Sequence, residues 1–240
     1  EIKHLIFSFA LAIFSIVSSG QEQLSIKNYS EVITGAAQFD QYIPLLKNKR
    51  VAIVTNASGI VGKTSLVDTL LSLKTNIKKI FGPEHGFRGN TDAGEKVNNN
   101  KDKKTGLQII SLYGKNKKPN KDQLKDVDIL IYDIQDLGVR FYTYISSLAY
   151  VMEACAENNK ELIVLDRPNP NGFYIDGPIM KNEFKSFLGM HNVPIVYGMT
   201  TGEYATMIND EGWLANNVKC KLKVIAMKNY NRKSSYKLPV

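Results

Sequence analysis

Short runs of Val, Ile and Leu recur along this chain at intervals filled by amphipathic stretches, and that alternation restricts the fold more than any other feature. Strand candidates lie at 50–55, 77–81, 107–112, 128–132, 162–165 and 222–226. Their apolar character is continuous rather than alternating, as in strands buried on both faces of a parallel sheet. Between them, 64–73, 144–158 and 202–213 place apolar residues three and four apart, with Leu148, Val151, Met152 and Cys155 the clearest set. That spacing predicts helices laid on a sheet. The βαβα order predicts an α/β domain with an open, mostly parallel sheet and helices on both faces. Segment 96–125 is rich in Lys, Asn and Asp with one obvious strand, and reads mostly as solvated loops.

The composition supports a packed core: 240 residues, 43% of them hydrophobic, suit one sizeable domain or a domain plus part of another. A formal charge of +8 is compatible with nucleic acid, an anionic membrane surface or an acidic polymer such as a wall glycan. The first residues narrow this choice. Lys3 precedes an apolar run from Leu5 to Val17, followed by Ser18, Ser19 and Gly20, which reads as a signal peptide over 1–20. The run is too short to span a bilayer. The expectation is an exported protein, periplasmic or extracellular, with no stable membrane insertion after cleavage and no nucleic-acid partner. Cys155 and Cys220 read as two buried small apolar residues rather than a disulfide, although an oxidising compartment permits pairing.

In an open parallel sheet, ligands bind beyond the carboxyl ends of the strands. Here those ends carry Thr55, Asn56 and Ser58, then Glu84, His85 and Arg88, then Asp133, Gln135, Asp136 and Arg140, then Asp166, Arg167 and Asn169. Each has a bland role open to it: Asn56 or Ser58 can cap a helix, Asp136 can sit in a turn, and Asp166 and Arg167 can pair with neighbouring loops. Together they predict a binding cleft.

Glu84 stands out within Phe81-Gly-Pro-Glu-His-Gly-Phe-Arg88, where a rigid Pro and permissive Gly residues fix its direction. A carboxyl held between Phe81 and Phe87 is partly desolvated, which favours the proton-carrying form that a general acid needs, whereas pairing with Arg88 opposes it. Glycoside hydrolysis commonly uses a second carboxyl, for which Asp133, Asp136 and Asp166 are available, unless a 2-acetamido group on the sugar acts as nucleophile. Arg140 and Arg167 suit bidentate gripping of a carboxylate, and Tyr142 suits stacking on a sugar. Gly62-Lys63-Thr64 suggests a phosphate loop, but GxxxxGK[ST] needs glycine where Ala57 stands. No cofactor and no metal are expected, because His85 and His191 are isolated and no clustered ligand spacing occurs.

Four stretches carry a family resemblance: Val51-Ala-Ile-Val-Thr-Asn-Ala-Ser-Gly59, Phe81-Gly-Pro-Glu-His-Gly-Phe-Arg-Gly89, Tyr132-Asp-Ile-Gln-Asp-Leu-Gly-Val-Arg-Phe-Tyr-Thr-Tyr144 and Leu165-Asp-Arg-Pro-Asn-Pro-Asn-Gly172. In this order the chain resembles the exo-β-N-acetylmuramidases of the NamZ type. Asp176-Gly-Pro178 and Gly202-Glu-Tyr204 add to the likeness. The resemblance implies a Rossmann-like catalytic domain over 21–195 and the start of a smaller, incomplete C-terminal part over 196–240. It also implies a cleft acting on non-reducing-end N-acetylmuramic acid of peptidoglycan-derived glycan. It makes Glu84 the catalytic acid and places Asn56, His85, Arg88, Asp133, Gln135, Arg140 and Tyr142 in the cleft. Asp133 and Asp136 complete the expected catalytic set; Asp166, Arg167 and Asn169 complete the sugar-binding one. The rival readings are a wall-binding module that holds glycan without cutting it and a nucleotide-dependent enzyme.

Overall fold

The computed structural model describes residues 31–89 and 100–239, and the signal peptide expected at 1–20 lies outside them. A short helical segment, α1 (Phe39–Tyr42), precedes β1 (Val51–Thr55). A small hairpin follows, β2 (Ile60–Val61) with β3 (Thr64–Ser65), then α2 (Leu66–Ser72) and β4 (Ile77–Gly82). The chain continues through β5 (Asn100–Lys101), β6 (Gln108–Ser111), α3 (Lys121–Leu124) and β7 (Ile129–Asp133). It ends with α4 (Tyr144–Glu157), β8 (Glu161–Leu165), α5 (Thr201–Asp210) and β9 (Lys221–Ile225).

Seven of these strands form one sheet in the order β5-β6-β4-β1-β7-β8-β9, parallel throughout except for β5. Leaving out the hairpin and β5, the order is that of a doubly wound Rossmann-like sheet, with the direction of winding reversing between β1 and β7. All five residues of β1 and of β7 are buried, which explains their apolar sequence up to Thr55 and Asp133, the polar residues that end them. Their side chains alternate between two cores. Ala52, Val54, Leu130 and Tyr132 join α4 and α5 on one face; Val51, Ile53, Ile129 and Ile131 join α2 and the segment around Tyr42 on the other. β9 instead alternates exposed lysines with partly buried apolar residues, as suits a sheet edge that must not recruit another strand.

The sequence-based strands are all present, and three local features differ. The helix expected over 64–73 begins at Leu66, because Thr64 and Ser65 pair back to Val61 and Ile60 across a hairpin turn at Gly62, φ +60°. Gly62-Lys63-Thr64 is therefore a hairpin and not a phosphate loop. Within 96–125, α3 adds a capped turn: Asn120 accepts from the Gln123 backbone, and the Gln123 side chain accepts in return. The sheet also runs across the boundary expected between 195 and 196. Leu222, Val224 and Ile225 of β9 extend it beside β8, and α5 packs into the same core as α4. Cys155 and Cys220 are buried free thiols in that core. Among the described residues no helix is long and apolar enough to cross a membrane.

Candidate active site

The reversal of winding between β1 and β7 opens a crevice at their carboxyl ends, and the two loops there are stitched together. Thr55 Oγ1 donates to the Asp133 carbonyl at 2.8 Å. Ser58 Oγ accepts from the Gln135 backbone N–H at 2.9 Å and donates to Asn56 Oδ1. The Gln135 amide donates to the carbonyls of Asp136 and Pro168, at 2.8 and 2.7 Å, which ties the loop after β7 to the loop after β8. Asn56 also hydrogen-bonds Tyr144, the first residue of α4, whose phenol is pushed up chiefly by burial.

Glu84 and His85 stand on the loop after β4. The Gly86 N–H closes a turn onto the Pro83 carbonyl at 3.0 Å, and His85 is held at φ +69°, a conformation few non-glycine residues adopt. Strain of this kind persists where the surrounding structure imposes it, commonly at functional sites. The turn aims consecutive residues into two cavities. His85 lines one of about 360 Å³ with Asn56, Ser58, Gln135, Tyr142 and Tyr144. Glu84 lines another of about 440 Å³ with Tyr113, Lys117, Thr143, Phe187 and Leu188. Because Glu84–His85 and Thr143–Tyr144 are sequence neighbours divided between them, the cavities share a wall. The Tyr113 hydroxyl donates to the Glu84 carboxylate, and that bond raises the tyrosine's own pKa. No Asp or Glu among the described residues lines the His85 cavity, and Glu84 alone lines the other.

Several residues expected in the cleft are instead committed to holding it together. Asp133 and Arg167 form an internal ion pair, with Nε–Oδ1 at 2.6 Å and Nη2–Oδ2 at 2.9 Å and both side chains essentially inaccessible. This geometry leaves Asp133 no open face as a second catalytic carboxyl and Arg167 none as a carboxylate grip. Asp136 is buried beneath the cleft, where it accepts from Tyr197 and from the Gly138 N–H, and burial pushes its carboxyl up. Asp166 serves the start of α5, accepting from Thr200 Oγ1 and the Gly202 N–H, each at 2.8 Å. Burial pushes it up to about 6 against the pull of those bonds. Asn169 donates to the Met199 carbonyl and accepts from the Asn171 N–H.

The other arginines are similarly engaged. Arg88 makes a fork on Asp102, 2.7 and 2.8 Å, and reaches Asp68 at 3.2 Å. Its guanidinium holds Asp102 well below the usual carboxylate range. It does not pair with Glu84. Arg140 Nη1 clamps the carbonyls of Pro178 and Val193 at 2.6 and 2.7 Å, closing the base of the loop between β8 and α5. Phe81 and Phe87 sink into the two opposite cores, so the apolar wall beside Glu84 is supplied by Phe187 and Leu188. Tyr113, Lys117, Tyr144 and Phe187 are the site residues that sequence reasoning passed over. Of these, Tyr144 carried a signal, since it ends the Arg140-Phe-Tyr-Thr-Tyr144 motif.

Residues 51–240 match the family described as exo-beta-N-acetylmuramidase NamZ, N-terminal. The chain belongs to the NamZ family. It is 42% identical to the peptidoglycan beta-N-acetylmuramidase NamZ of Bacillus subtilis, over 96% of this chain and 57% of that protein. Two crystal structures of DUF1343 family proteins from Bacteroides fragilis share the fold. One has a TM-score of 0.79 at 50% identity over 88% of this chain and 56% of its own, the other 0.78 at 43% over 85% and 52%. The chain thus spans little more than half the length of these relatives.

Proposed function

We propose that the protein is an exported glycoside hydrolase that releases N-acetylmuramic acid from the non-reducing end of peptidoglycan fragments, with Glu84 as general acid. The observation that carries this reading is the placement of Glu84. It is the one carboxyl, among the described residues, lining the paired cavities at the crevice, on a strained turn and oriented by Tyr113. The named activity of the Bacillus subtilis relative supports the substrate class, and the apolar run from Leu5 to Val17 motivates export.

In this reading the protonated Glu84 gives its proton to the glycosidic oxygen as the bond from that oxygen to the anomeric carbon breaks. With Asp133 tied to Arg167 and Asp136 buried, the acetamido oxygen of the substrate is the group suited to attack the anomeric carbon. The Glu84 carboxylate then takes a proton from water, whose oxygen adds to the same carbon and regenerates the acetamide. Tyr113 holds the carboxyl through both steps. Incubating the protein with a defined peptidoglycan disaccharide and identifying the sugar released tests the reading. Free N-acetylmuramic acid is expected; retention of intact glycan on the protein without release would favour a binding module instead.

A further inference from the structure

An acid-bearing sugar needs a cation at the site, and the arginines best placed in sequence are already engaged: Arg167 and Arg88 by carboxylates, and Arg140 by two carbonyls. One cation lines the Glu84 cavity itself. Lys117 stands there half-buried with no ion pair among the described residues, its ammonium 4.5 Å from the centre of the Phe187 ring. Its position is fixed by its neighbours. Asn116 donates to the Ser111 carbonyl, and Lys118 is paired to Glu153 and Glu157 of α4. Phe187 is fixed in turn by stacking on Tyr150 of α4, with centroids 5.6 Å apart. The ammonium is thus held over one face of a braced ring, which leaves donors directed away from that ring for a ligand.

We propose that the cavity between Glu84 and Phe187 is the subsite that reads the substrate's carboxylate, with Lys117 as the specificity-determining cation. This rests on the glycosidase reading above and deepens it: N-acetylmuramic acid differs from N-acetylglucosamine by a carboxylate-bearing ether, and that carboxylate is the group Lys117 pairs with. Thr143, Ser186 and Leu188, which also line the cavity, are uncharged.

The test compares wild type, Lys117→Gln and Lys117→Arg in two measurements. Calorimetry gives the affinities for N-acetylmuramic acid and N-acetylglucosamine, and turnover of the chromogenic glycosides of the two sugars gives KM and kcat separately. The wild type is expected to prefer the acidic sugar. Lys117→Gln is expected to weaken binding of the acidic sugar and raise its KM by about 10- to 100-fold, the worth of a hydrogen bond to a charged group. Affinity for N-acetylglucosamine and the melting temperature should stay unchanged, and Lys117→Arg should retain most of the preference. A preference that survives Lys117→Gln overturns the role of Lys117 while leaving the glycosidase reading intact. Absence of binding and turnover for both sugars in the wild type overturns the two together.

Discussion

Replacing Arg167 by Met tests whether the ion pair beneath the crevice is a structural element. The side chains of Arg167 and Asp133 are 1% and 0% exposed, and their two bonds measure 2.6 and 2.9 Å. Methionine fills most of the volume but strands the Asp133 carboxylate in a site closed to water, and it deprives the Ile60 carbonyl of the Arg167 donor at 2.9 Å. Breaking a buried pair in this way costs about 3–5 kcal/mol, because the remaining charge is uncompensated. Urea titration monitored by circular dichroism reads that loss as a shifted midpoint. The double variant Arg167→Met, Asp133→Leu removes the stranded charge and is expected to recover much of the stability, since apolar replacement of a whole buried pair is commonly near neutral. A single variant within about 1 kcal/mol of wild type, or a double variant no better than the single, would refute the reasoning.

Asp166 supplies a pH test. Burial raises its folded-state pKa from 3.8 to about 6, so its contribution to stability is present below pH 4 and is lost as the pH rises through 6. Asp166→Asn removes the charge and keeps one oxygen to accept from the Gly202 N–H, while its NH2 takes the other position and donates to Thr200 Oγ1 instead of accepting from it; it should gain on the wild type by about 2–3 kcal/mol between pH 4 and pH 7 in denaturant titrations, and a constant difference would contradict this. Gly138 sits at φ +76°, and an added Cβ would lie 2.1 Å from Asn169 Oδ1. Gly138→Ala should therefore cost more than about 1 kcal/mol and loosen the Asn169–Met199 contact, whereas Gly62→Ala, also at positive φ but in open space, should cost less in the same titration.

The sheet was legible because burial on both faces demands apolar sequence, and β1 and β7 show that pattern up to the Thr55 and Asp133 that end them. The hairpin was not legible: Thr64 and Ser65 continue the amphipathic rhythm of α2, and only their pairing with β2 separates them from it. At the strand ends, sequence located the crevice through Asn56, Glu84, His85 and Gln135, which line its cavities. It did not separate groups that face the cavities from groups that hold the loops. Asp133, Asp166 and Arg167 have the chemistry of site residues, and burial and pairing across strands give them another purpose. Lys117 and Phe187 lie on separate loops, each ordinary in its own context, and only the braces that α4 provides bring them together.

The central claim is that the Glu84 carboxyl supplies the proton that releases muramic acid. Its most direct test is the rate of N-acetylmuramic acid release from a defined disaccharide by the wild type and by Glu84→Gln, with folding checked by thermal melting. The account predicts that release falls by at least about 100-fold in the variant while the melting curve is unchanged. Release at the wild-type rate from a folded Glu84→Gln protein would contradict it.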